Sequence, residues 1–197
     1  MQSSRQLALL LLVCCAHAPA PDRSAAPAAS FAQLVDDYFD SRFSYLPSRA
    51  TGIGFHEHDA QLEDFSRPRI LAQIADLKSF QARLAAVDRE QLSFDESIDA
   101  QLIENAIDAA LLELTVVRSW ERNPMCYAGL PGNALDSLMK RDFAPAAERL
   151  RSAIARLGQV PRVYAAAKQN LSNPPKELTE VALRMASGSV GFLEGPV

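Results

Sequence analysis

The stretch SFDESIDAQLIENAIDAALLELTVVRSWE, Ser93–Glu121, decides the fold class. Ser93 and Glu96 stand at capping-box spacing, where a hydroxyl and a carboxylate reciprocally satisfy the first free N–H groups of a helix. Ile98, Leu102, Ala106, Ala109, Leu112, Val116 and Trp120 then recur at helical intervals along one stripe. No two-residue alternation competes with that pattern, so the spacing predicts one helix from Phe94 to about Glu121. At 1.5 Å per residue it would run for roughly 40 Å, with Asn123-Pro124 as its stop.

The flanking sequence repeats the same grammar. Ser30 and Gln33 make a second capping box, ahead of Phe31, Leu34, Val35, Tyr38 and Phe39, and Pro47 breaks the pattern. A loop is expected from there to Ser66, where Ser66 and Pro68 open a helix through Ile70, Leu71, Ile74, Leu77 and Leu84. Beyond Pro124, helices are expected around Ala134–Lys140, Pro145–Leu157 and Pro161–Leu171, and from Pro174-Pro175 toward Phe192. The fold class is therefore all-α, a multi-helix bundle with one long central helix. The apolar positions of the last helix, Leu178, Val181, Met185 and Val190, still call for a packing partner where the sequence stops. We therefore expect the N-terminal portion of a larger helical fold, with apolar faces left uncovered.

Composition narrows the function. A formal charge of −4, with basic residues scattered rather than clustered, argues against binding nucleic acid. Residues 1–20 read as an export signal, Arg5 preceding the apolar run LALLLLVCCA. The Ala-x-Ala cleavage sites are each followed by proline, and LVCC resembles a lipoprotein box with Cys15 as the candidate for lipid attachment, which would anchor the chain to a membrane. Residues 21–29 are a Pro/Ala-rich tether, and residues 30–197 make the helical domain. Beyond the signal only Cys126 remains, so no internal disulfide is available.

Chemistry is sparse. In GIGFHEHDAQLEDFS, Gly52–Ser66, two histidines stand two apart rather than four. Zinc hydrolases place both imidazoles on one helical face, so His56 and His58 fail that geometry, and we expect no metal site in this chain. His56 and Asp59 are retained as candidate cleft-lining residues. So are Arg118 and Glu121 in RSWERNPMCY, where charge gathers at a helix end beside Trp120, itself expected to anchor the core. Asn170-Leu171-Ser172 fits a glycosylation sequon, a weak signal alone.

DDYFDSRFSYLPSRATGIGFHEHDAQLEDFS, SWERNPMCYAGLPGNALDSLMKRDFAPAAERLRSAIARLGQVPR and NLSNPPKELTEVAL together resemble the N-terminal part of the bacterial family called domain of unknown function 885. The resemblance spans nearly all of Phe31–Leu193. It implies an exported, mostly helical protein, often a lipoprotein, similar to zinc metallopeptidases, whose histidine-glutamate metal motif lies downstream of the matched region. No residue here matches that motif. The resemblance thus implies a non-catalytic part of a peptidase-like hydrolase: zinc and a peptide substrate belong to the whole protein, and the partner is a missing C-terminal catalytic half. The alternative is a small envelope or periplasmic helical binding protein without catalysis.

Overall fold

The computed structural model describes residues 30–195; the expected export signal, the expected tether and Cys15 lie outside them. Every regular element among these residues is helical. In α1 (Phe31–Tyr45) the Ser30 hydroxyl accepts the Gln33 N–H at 3.2 Å, and the Gln33 amide turns forward to Asp37. Pro47 ends α1 but also opens α2 (Pro47–Ile53), a helix where a loop was expected. Proline's fixed φ suits a first helical turn as well as it stops a preceding one. Gly54, at φ 102°, closes α2 in the left-handed conformation that glycine adopts without strain.

After α3 (Arg67–Ala85) and a single 3-10 turn (Arg89–Gln91), α4 (Phe94–Leu112) begins with its capping box fully formed. It does not continue to Glu121. A π turn over Glu113–Val117 gives way to Arg118 in the left-handed region, at φ 54° and ψ 48°. Thr115, Val116 and Val117 are β-branched in succession, which weakens a helix just where the regular hydrogen-bond ladder slips. The expected single long helix is therefore two, α4 and α5 (Ser119–Arg122), set apart by the π turn. The remaining helices are α6 (Met125–Ala128), α7 (Leu130–Met139), α8 (Ala146–Leu157), α9 (Val160–Asn170) and α10 (Lys176–Glu194).

Three helices, α1, α3 and α4, enclose an apolar core of Leu34, Tyr38, Leu77, Phe80, Leu84, Ala100, Ile103 and Ile107. Full burial of an aliphatic side chain of this kind contributes about 1.5–3 kcal/mol. The buried stripe of α4 is thus Ala100, Ile103 and Ile107, not the expected one. Leu102 is 60% and Val116 66% exposed, and Ile98 and Leu112 face solvent beside them. The helix carries two apolar stripes, and α1 and α3 cover only one. Smaller clusters join Leu62 to Tyr127, Ala134, Val163 and Ala167, and Leu135 and Leu138 to Ala153.

In α8 the polarity is inverted: Leu150, Ile154 and Leu157 face outward, while Ala153 and Arg156 are buried. α10 packs on α6 and α7. It buries Ala182 and sets Met185 over Gly129, where a Cβ would meet the Met185 methyl at 2.5 Å; Leu183 and Val190 stay exposed.

Candidate functional site

The loop between α2 and α3, residues 54–66, is held at both ends by polar side chains. At its start the Asp59 carboxylate accepts from the Thr51 hydroxyl at 2.6 Å and lies 3.1 Å from His56 Nδ1. The His56 ring stacks on Phe143, with centroids 3.7 Å apart. Arg156 reaches this cluster from α8 and is only 1% exposed. Its guanidinium donates to the carbonyls of Gln61 (2.9 Å) and Ala134 (2.5 Å) and to Thr51 Oγ1 (2.6 Å). Burial pushes the Arg156 pKa down, opposed by the charges of Asp59 and Glu63. A guanidinium nonetheless keeps its proton at ordinary pH.

Further along, the Glu63 carboxylate accepts from the Ser48 N–H and hydroxyl. Gln159 receives the Leu62 N–H and donates to Ala60 O, and Arg162 donates to Leu62 O. A loop with this many irregular backbone groups near the interior needs such partners. These bonds tie the loop to α2, α8 and α9.

The loop's far end meets the second candidate pair. Glu121 is buried, and its Oε1 accepts from Arg67 at 2.8 Å and, in a short contact, from Arg118. Both guanidinium groups lie over the Trp120 ring, 5.2 and 5.5 Å from its centroid, within cation–π range. Trp120 is half-buried and donates its indole N–H to Leu114 O, so it is a surface platform rather than the core anchor expected. Asn170 is buried and donates to Phe65 O at 2.7 Å and to the Tyr127 hydroxyl, which leaves its amide no access for a glycan. Cys126 is half-buried, and burial raises its thiol pKa, which keeps it from acting as a ready thiolate.

His56 and Asp59 are therefore in contact, and so are Arg118 and Glu121, but among the described residues no hydrogen bond or ion pair joins one pair to the other. Arg156, Thr51 and Gln159 were missed by sequence reasoning. The only available signal for Arg156 was an arginine falling in register with Ala153 on α8. Among the described residues no group of three or more His, Cys, Asp or Glu is placed to hold a metal. Nor is any described helix long and apolar enough to cross a membrane.

The family model described as "Bacterial protein of unknown function (DUF885)" matches residues 47–195, a span that includes both pairs and Arg156. A solved structure described as "a putative lipoprotein of unknown function from Shewanella oneidensis" superposes with a TM-score of 0.75 at 30% identity. The similarity covers 86% of this chain and 32% of that one, so the chain spans about a third of its neighbour's length. No curated protein matches.

Proposed function

The chain belongs to the bacterial protein family of unknown function DUF885, and from that membership we propose that its helices form a non-catalytic wall of an exported, zinc-dependent, peptidase-like hydrolase. The carrying observation is the outer face of α4 and the π turn after it, where Phe94, Ile98, Leu102, Leu112, Val116 and Val117 are exposed together. A row of exposed apolar side chains along one helical face marks a surface meant to be covered. The solved neighbour, about three times as long by its coverage, offers in its remaining chain a protein body that could cover such a face. In this reading zinc and the hydrolytic residues reside in that other part, and this chain supplies none of the metal ligands.

Export is part of the same proposal, with Cys15 as the lipid attachment point. It is supported by the apolar N-terminal run and by the description of the neighbour as "a putative lipoprotein of unknown function". A second reading, a self-standing helical binding protein of the envelope, is favoured by the Arg156 cluster, which ties α2, α7 and α8 together from within this chain.

The test is peptide hydrolysis by a longer family member, assayed with and without a chelator beside this chain. We expect the longer protein to hold one zinc and lose activity with the chelator, and this chain to do neither. Stoichiometric zinc in this chain, or a longer member without chelator-sensitive hydrolysis, overturns the reading.

A further inference from the structure

We infer that the groove between α3 and the α4–α5 break is a binding site for the carboxylate end of an acylated amino acid or peptide with an aliphatic side chain. Its position is independent of the hydrolase reading, which places no ligand there. The floor is apolar, made by Ile70, Ile74 and Leu114, and the groove, open to solvent on one side, holds about 200 Å³, suited to one side chain rather than an extended ligand. One end is closed by Arg67, Arg118 and Trp120.

Donor capacity at that end is not exhausted. Arg67 and Arg118 both pair with Glu121 Oε1, while Glu113, the other carboxylate at the break, accepts the Ser119 N–H and forms an ion pair with neither guanidinium. Glu121 engages one nitrogen of each guanidinium, and a guanidinium offers five donors in a planar fork that matches a carboxylate. The Trp120 ring lies against both forks and helps to hold them in place.

The backbone supports the same assignment. Arg118 is a non-glycine residue at positive φ, fastened there by its N–H to Glu113 O at 2.7 Å across the π turn. Strained residues and π turns concentrate where a side chain must be aimed. A short fatty acid would also offer a tail and a carboxylate. The Thr115 hydroxyl, on the groove wall, favours the acylamino ligand: it donates to Leu111 O at 2.6 Å and keeps a lone pair for the ligand's amide N–H.

Trp120 is the one tryptophan in the sequence, so its fluorescence reports on this groove alone. The purified chain is titrated with N-acetyl-leucine, N-acetyl-leucinamide and octanoate. We expect a saturable change with N-acetyl-leucine, at least tenfold weaker binding of the uncharged amide, and octanoate in between. Arg118→Gly removes one fork while relaxing the backbone, and should weaken N-acetyl-leucine about tenfold with the helical circular dichroism unchanged. Arg67→Gln should do the same without altering the left-handed residue, and Thr115→Val should bring N-acetyl-leucine down to the octanoate level. Equal binding of acid and amide, absence of saturation, or full affinity in both folded arginine variants overturns the site. Octanoate binding more tightly than N-acetyl-leucine overturns the acylamino assignment.

Discussion

Between α1, α3 and α4 the interior is aliphatic and aromatic, with the Tyr38 hydroxyl buried in it without a hydrogen-bond partner, whereas between α2, α7 and α8 the largest fully buried side chain is Arg156. The first region holds together by removing apolar surface from water, a force without direction. The second depends on a fork of donors that finds carbonyls and a hydroxyl in fixed positions. An apolar core tolerates small changes of shape, but a buried cation deprived of its partners, or partners deprived of their cation, is costly. Damage should therefore be graded in the bundle and abrupt around Arg156.

The sharpest way to break that contrast is Arg156→Met, which keeps length and removes the fork. It strands the Gln61 and Ala134 carbonyls in the interior and removes the positive charge felt by Asp59 and Glu63, so we expect a loss of about 3–5 kcal/mol in urea unfolding, or no folded protein at all. A loss below about 1 kcal/mol would place the hub's weight elsewhere. The matched change in the bundle is Ile107→Val, at a fully buried position. Removing one methylene there should cost about 0.5–1.5 kcal/mol by the same measurement.

The margin of the bundle can be read by pH. Tyr45 donates to Asp76 at 2.6 Å beneath the Arg69 guanidinium. Burial first, then the Asp76 carboxylate, pushes its pKa up to about 12. Unfolded tyrosine titrates near 10, so this contribution is fully present below about pH 10 and is lost as pH rises toward 12. Tyr45→Phe should cost about 1 kcal/mol at neutral pH and flatten part of that alkaline slope. Tyr38 and Tyr127, whose burial also raises their pKa, leave a residual slope in the same direction.

The smallest expected effect on stability lies on the uncovered face of α4. Leu102→Gln should change stability by no more than about 0.5 kcal/mol while lowering the binding of a hydrophobic dye. A large loss of stability there would mean that the face is already packed.

The sequence by itself determined the all-α class and most helix limits, because those depend on local signals. Ser93 with Glu96, the Pro47, Pro124 and Pro161 punctuation, and helical recurrence all act within a few residues of one another. Membership of the family was also legible, in loop and helix-end motifs around His56, Arg118 and Asn173. The outcome for α4 shows where locality runs out. Its Leu102 and Ile103 stripes are both apolar and helical in period, and only the arrival of α1 and α3 on one side chose which would be buried. The same holds for α8, where an arginine faces inward because Gln61, Ala134 and Thr51, 22 to 105 residues of sequence distant, converge on it. His56 with Asp59, and Arg118 with Glu121, could be paired from their spacing; that Arg156 backs the first pair and Arg67 shares the second came from tertiary contact. Hydrogen-bond partners distant in sequence leave no periodic trace, since each is fixed by the packing of whole helices rather than by its neighbours in the chain.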